Sequence, residues 1–252
     1  MSFVADLKVL YRLAVAPIRG NTHQERLESF YSGQADAYDA FRKRLLHGRE
    51  ELYRLLPTPA DGIWVEMGAG TGSNLEFLAE RIDILRQVHL VDLSPSLIRI
   101  ADQRIARHGW RNARTHVRDV TTFDLPESAD VVTFSYSLTM IPDWFAALEN
   151  ALRILKPGGT LGVVDFYVSR KYPAAGFVRH GWWTRHFWPL WFGNDNVNPN
   201  SDHIPYLHRL AEAGHLAEHR GKVPWLPFIE APYFVFVGRK RANESISPNP
   251  TR

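Results

Sequence analysis

The sequence contains no cysteine, which excludes a disulfide framework, thiolate metal sites and a cysteine nucleophile. It has no uninterrupted apolar run of the roughly 18 residues that a membrane-spanning helix requires. Nor does it begin with a signal peptide: Asp6, Lys8 and Arg12 interrupt any apolar stretch there, so the cytoplasm is the expected compartment. Charge of one sign is not in large excess, with 30 Lys+Arg against 27 Asp+Glu and a net charge of +3. The pI near 9.2 is therefore not matched by a continuous basic stripe or a nucleic-acid-binding module, and no nucleic-acid partner is expected. Metal-ligand spacing is missing too, since His180 and His186 lie six apart and His203 and His208 five apart. What remains is a chain of 252 residues, 45% apolar and 23% charged, without internal repeats, which suits one globular domain with a full core.

The most informative stretch is Val65-Glu66-Met67-Gly68-Ala69-Gly70-Thr71-Gly72. It lies between a β-like run, Gly62 to Val65, and a helix-like one, Ser73 to Arg81. Glycines at a strand-to-helix turn tolerate positive φ and let backbone approach a ligand closely. The dinucleotide fingerprint would need a third glycine where Ser73 stands, so the spacing is instead Glu-x-Gly-x-Gly-x-Gly. Downstream, Val88 to Leu93 reads as a buried strand ending in Asp92, and Ser94-Pro95 supplies an N-cap and first-turn proline for a helix to His108. An acid at that strand tip is placed to accept hydrogen bonds from ribose hydroxyls. Strands are expected at Thr115–Val120, which holds Asp119, at Ala129–Ser135, and at Thr160–Phe166 after a helix over about Asp143–Leu155 and the turn Lys156-Pro157-Gly158-Gly159. A helix over His203–Ala213 closed by Gly214, a sixth strand over Leu216–Pro224 and an antiparallel seventh over Pro232–Lys240 complete the pattern. Alternating strands and helices imply a mostly parallel sheet covered on both faces.

Glu66-x-Gly68-x-Gly70-x-Gly72, Asp92, Asp119 and Leu155-Lys156-Pro157-Gly158-Gly159 resemble, in order and spacing, the motifs of class I S-adenosylmethionine-dependent methyltransferases. The resemblance implies an α/β Rossmann-like fold with a seven-stranded sheet, and S-adenosyl-L-methionine as cofactor. It implies that Gly68, Ala69 and Gly70 pass beneath the amino-acid part of that cofactor, with Glu66 orienting it. Asp92 and Leu93 would meet the ribose, and Asp119 with Val120 the adenine edge, with Ser135 at the end of the fourth strand. Where nucleic-acid methyltransferases carry Asn-Pro-Pro-Tyr, this chain has Ser135-Tyr136-Ser137-Leu138.

A second resemblance covers residues 28–240. Phe30 to Arg42 and Leu46-His47-Gly48-Arg49 look like the methyltransferase half of betaine-lipid synthase, as do Trp188-Pro189-Leu190-Trp191-Phe192, Asp195-Asn196-Val197 and His203-Ile204-Pro205-Tyr206-Leu207. Asn198-Pro199-Asn200 departs from its pattern. The resemblance implies three successive methylations of the amino group of diacylglycerylhomoserine, giving a trimethylated betaine lipid, and a partner enzyme that builds the homoserine head group. Phosphatidylethanolamine, a lipid-soluble quinone precursor or another small molecule is the alternative substrate, and a non-catalytic cofactor-binding subunit at a membrane the alternative class.

Within that reading Tyr136, just past the fourth strand, is the expected catalytic residue, its ring holding a cationic amine and its hydroxyl accepting a hydrogen bond. Asp165 is the second candidate for orienting the amine. Tyr31, Tyr38 and Arg42 are expected to cap the cofactor from an N-terminal helical region, residues 1–56, with Arg42 reaching its carboxylate. One of Arg170, Arg179 and Arg185 would hold a substrate carboxylate. No metal is required. Two features fit a lipid surface at the inner face of a membrane: an amphipathic stripe from Phe3 to Ile18, and an aromatic, basic insert over residues 166–202 that holds four of the eight tryptophans. A single domain over residues 1–241 and a loose polar tail over 242–252 are expected, with the oligomeric state left open.

Overall fold

The computed structural model describes residues 25, 44–193, 196–224, 226 and 228–241. The N-terminal stripe, Tyr31, Tyr38, Arg42, Asp195 and the tail lie outside the described residues.

In chain order the elements are α1 (Arg49–Leu55), β1 (Ile63–Met67), two short 3-10 turns (Ser73–Phe77 and Ala79–Ile84), β2 (Gln87–Asp92), α2 (Pro95–His108), β3 (Ala113–Val117) and β4 (Ala129–Ser135). A 3-10 turn (Leu138–Met140), α3 (Trp144–Ile154), β5 (Leu155–Phe166), α4 (Trp182–Gly193), α5 (His203–Leu210), β6 (Ala211–Lys222) and β7 (Glu230–Lys240) follow. The strands form one sheet in the order β3-β2-β1-β4-β5-β7-β6. The first five run parallel, and β7 pairs antiparallel with both β5 and β6. This is the expected Rossmann-like architecture.

Local chemistry accounts for the boundaries. Every residue of β1 is buried, as a central parallel strand requires. Successive side chains alternate between two cores: Trp64 joins Tyr53, Leu75 and Leu90 on one face, while Val65 and Met67 join Phe134 and Leu148 on the other. Helix α2 starts at Ser94, whose hydroxyl accepts from the Leu97 amide, and stops at Gly109 in the left-handed region. Asp143 caps α3 by accepting from the Ala146 amide at 3.0 Å.

The structure corrects several expected elements. Ser73–Arg81 is not one α-helix but part of two 3-10 turns, broken where Ala79 takes φ 47°. The third strand ends at Val117, so Asp119 and Val120 lie in the turn beyond it. The helix expected to Ala213 stops at Leu210, because the chain from Ala211 onward pairs with β7. Gly214 therefore sits at an irregularity of β6, between Ala213 and His215, rather than capping a helix. Strand β5 starts five residues early: Ala129 pairs with Leu155 and Val131 with Thr160, and the intervening loop is tied down by Lys156 on both Asp130 oxygens, each at 2.8 Å. Among the described residues, no helix is long and apolar enough to cross a membrane, and no group of three or more His, Cys, Asp or Glu could hold a metal ion.

Candidate active site

The order of the parallel strands reverses between β1 and β4, and ligands of such sheets sit at the carboxyl ends beside that reversal. Two cavities open there and share Gly68 and Gly70. The larger, about 270 Å³, is lined by Asp92, Leu93, Arg118, Asp119, Val120, Thr121, Tyr136, Met140 and Ile141, among others. The smaller, about 20 Å³, is lined by Leu46, Arg49, Ala69, Thr71, Ser73, Asn74 and Ser135 as well as the two glycines.

The glycine turn is shaped by three positive φ values, 73° at Gly68, 56° at Gly70 and 68° at Gly72. The Gly68 and Ala69 amides both donate to the Val91 carbonyl, at 2.8 and 3.0 Å, which pins the turn to the end of β2. The Asp92 carboxylate ties its other side, accepting from the Gly70 amide at 2.8 Å and from the Ser94 amide at 2.9 Å. Asp119 accepts from the amide and hydroxyl of Thr121, both at 2.8 Å, which fixes its carboxylate at the cavity rim.

Beneath the smaller cavity lies a buried polar layer. Glu66 is fully buried and accepts from Asn74 Nδ2. Arg49, at the start of α1, donates from Nη1 to Asn74 Oδ1 at 3.2 Å and from Nε to the Leu46 carbonyl at 3.1 Å. The Ser135 hydroxyl, on the wall of the smaller cavity, is buried without a completed hydrogen bond, and one layer below it Glu66 and the Tyr53 hydroxyl are close enough to interact. A buried hydroxyl of that kind beside a cavity is chemistry a polar ligand would satisfy.

Burial pushes Glu66 from 4.5 up to about 7, against the hydrogen bond from Asn74 and the charge of Arg49. Its folded-state pKa then lies above the unfolded one, so the folded chain keeps a proton that the unfolded chain releases between those values. Glu66 therefore lowers stability as pH rises through that window, on the order of 3 kcal/mol at its upper end. Glu66→Gln should remove this cost. The thermal midpoint of the variant minus that of the wild type should rise from about pH 5 to about pH 8 in the cofactor-free protein. His89, His180 and His203, which burial depresses to about 4, act with the opposite sign and cancel in that difference. A flat difference would mean that the Glu66 carboxyl is hydrated.

Tyr136 does reach the larger cavity, but its hydroxyl donates to the His47 carbonyl at 2.7 Å and its ring packs edge-on against Phe166. Burial, and then the charge of Asp165, hold this phenol well above its ordinary pKa, so it stays protonated and cannot serve as a base. It takes φ 55°, a left-handed conformation that costs a non-glycine residue on the order of 1–3 kcal/mol and that clusters at functional sites. Asp165 is placed differently from the sequence expectation. It is fully buried, accepts from the Thr139 amide and hydroxyl and from the Phe166 amide, and does not line the cavity. Its side chain anchors the 3-10 turn that follows β4 instead of facing a substrate.

Among the cofactor residues expected from the sequence, the cavities gather Gly68, Ala69, Gly70, Asp92, Leu93, Asp119, Val120 and Ser135, with Glu66 one layer below. Arg49 and Asn74 were not anticipated there. The sequence signal for Arg49 was Gly48, which takes φ 76° immediately before α1, whose first turn reaches Asn74 in the 3-10 turn after the glycines. Of the arginines expected at a substrate carboxylate, Arg170 pairs with Asp202 and Arg179 stacks over Tyr172. Neither they nor Arg185 line the larger cavity; Arg118 does.

A protein-family model described as a methyltransferase domain matches residues 65–159. The ubiquinone/menaquinone biosynthesis C-methyltransferase of Hydrogenovibrio crunogenus is 26% identical over 149 residues, 56% of this chain and 59% of that protein. The demethylmenaquinone methyltransferase of Geobacillus kaustophilus is 23% identical, over 54% of this chain and 61% of that protein. The chain thus spans less than two thirds of the length of these curated relatives. The N-methyltransferase NodS of Bradyrhizobium japonicum, solved with S-adenosyl-L-homocysteine, superposes with a TM-score of 0.55 over 81% of this chain and 97% of that one, at 17% identity.

Proposed function

We propose that this chain, whose residues 65–159 match a methyltransferase-domain model, is a class I S-adenosylmethionine-dependent methyltransferase that transfers a methyl group to the amine of a lipid head group, diacylglycerylhomoserine above all. The observation that carries the transferase reading is the pair of cavities meeting at Gly68 and Gly70, one roomy and largely apolar, one small and polar. The chain's residues fit a nucleoside with an amino-acid arm. Asp92 offers its carboxylate to the ribose, and Asp119 and Val120 the adenine edge. Arg49 offers a guanidinium to the carboxylate and Glu66, through Asn74, negative charge near the ammonium. When bound, S-adenosylmethionine supplies an electrophilic methyl group, so the protein has mainly to align and desolvate the acceptor.

The acceptor amine must be neutral. With a reference pKa of about 8, roughly a tenth of an α-amine is neutral at pH 7. A strong base is therefore unnecessary, in keeping with a Tyr136 phenol committed to the His47 carbonyl. Tyr136, buried but on the wall of the larger cavity, is suited to holding a cationic amine or its quaternary product against its ring. Support for the betaine-lipid substrate comes from Leu46-His47-Gly48-Arg49. That motif lies against the cavities: the His47 carbonyl holds Tyr136, and Leu46 and Arg49 line the polar pocket. The quinone-related relatives favour a second reading, methylation of a carbon on a lipid-soluble quinone precursor.

Labelled methyl transfer from S-adenosylmethionine decides between them. Vesicles doped with diacylglycerylhomoserine should acquire label in mono-, di- and trimethylated products. Label confined to phosphatidylethanolamine or to demethylated quinone would move the substrate, and no label in any would remove the lipid reading.

A further inference from the structure

From residue 166 to residue 193 the chain has no Asp or Glu, and it carries Arg170, Lys171, Arg179 and Arg185. Helix α4 lies in this stretch. Its inner side inserts Trp188 and Phe192 into the core, where Phe192 stacks on Phe166 at 4.7 Å between centroids. Its outer side should then be polar, as on an ordinary surface helix. Instead it presents Trp182 (58% exposed), Trp183 (75%) and Leu190 (79%), with Trp191 at its edge. The preceding segment exposes Tyr172, over whose ring both Lys171 and Arg179 stand at 5.3 and 5.5 Å.

We propose that this face of α4, together with the Lys171–Tyr172–Arg179 group, docks the protein on an anionic lipid bilayer. Exposed, adjoining indoles such as Trp182 and Trp183 suit the interfacial zone, apolar in the ring and polar at the N–H. Lysine and arginine beside them meet anionic head groups. The acids that reach the segment are already engaged, Asp202 by Arg170 and Glu218 by the Val178 amide and the Tyr167 hydroxyl, which leaves Lys171 and Arg179 as the cations of the face. A second copy of the chain fits less well. A two-fold contact would set the Lys171 and Arg179 cations of one copy against those of the other. This docking does not depend on which lipid is methylated, and vesicle binding scores it without any methyl transfer.

The test is flotation of the full chain with vesicles of phosphatidylcholine alone or mixed with phosphatidylglycerol. The wild type should bind the mixed vesicles and be released by salt. Lys171→Gln with Arg179→Gln should weaken that binding about 30-fold, at roughly 1 kcal/mol per cation. Trp183→Ser with Leu190→Ser should weaken it by about tenfold or more. Calorimetric binding of S-adenosylmethionine, unchanged in both, verifies the fold. Wild-type vesicle binding by both variants overturns the proposal, as does no preference of the wild type for anionic vesicles. Concentration-dependent dimers broken by the same substitutions, without vesicle binding, overturn it in favour of a second copy.

Discussion

Gly68→Ala should abolish measurable binding of S-adenosylmethionine while leaving a folded but weakened protein. Gly68 takes φ 73°, and a Cβ there would stand 2.4 Å from Ser137 Cβ and 2.9 Å from Ser137 Oγ. Neither side can yield cheaply. Ser137 is buried and its hydroxyl donates to the Met67 carbonyl at 2.8 Å, while the Gly68 amide is held by the Val91 carbonyl. Overpacking costs about 1–3 kcal/mol and the left-handed conformation about 1–2 more, a sizeable part of a typical folding stability. Relief can come only by moving the turn, and the turn is the wall common to both cavities. Two controls separate the causes. Gly109→Ala, at φ 69° with nothing within 4 Å of its Cβ, should show the conformational cost alone and leave binding intact. Adding Ser137→Gly to Gly68→Ala should relieve the clash and restore part of the affinity. Thermal unfolding and calorimetric titration measure both quantities, and unchanged affinity in Gly68→Ala would mean that the turn does not cradle the cofactor.

The features legible in the sequence were those encoded locally. The strand and the glycine turn after it, the acid closing β2 and the capped start of α2 each depend on a few adjacent residues, and each stands where spacing put it. Features set by distant pairing were not legible. Residues 211–213 read as helix because their partners on β7 are remote in sequence, and the ladder with Lys240, Arg239 and Gly238 outweighs local propensity. Side-chain direction at strand ends was equally hidden. Tyr136 and Asp165 both come at the carboxyl edge of the sheet, yet a left-handed backbone turns Tyr136 to the cavity, whereas Thr139 draws Asp165 inward. Arg49 was missed for a related reason. Its neighbourhood looked like part of a cap, and only the fold shows that α1 packs beside the first 3-10 turn and delivers its guanidinium to Asn74.

Asp92→Ala is expected to have the second large effect, through two routes that can be told apart. The carboxylate, only 9% exposed, is the acceptor for the Gly70 and Ser94 amides. Truncation strands both donors, one in the cofactor turn and one at the cap of α2, at about 1–3 kcal/mol each where water cannot reach them. It also removes the group proposed to hold the ribose. Hydrogen bonds to a charged acceptor contribute about 1.5–3 kcal/mol each, so losing two of them should raise the dissociation constant for S-adenosylmethionine at least about 100-fold. Asp92→Asn keeps the shape and one carbonyl acceptor but aims an amide donor at the other N–H, so it should spare more of the stability than of the binding. Comparing adenosine with adenine isolates the ribose contact. If Asp92 holds the ribose, its substitution should penalise adenosine strongly and adenine, which has no hydroxyls to offer, hardly at all. Equal losses for both ligands would assign the effect to a displaced turn and remove Asp92 from the ribose.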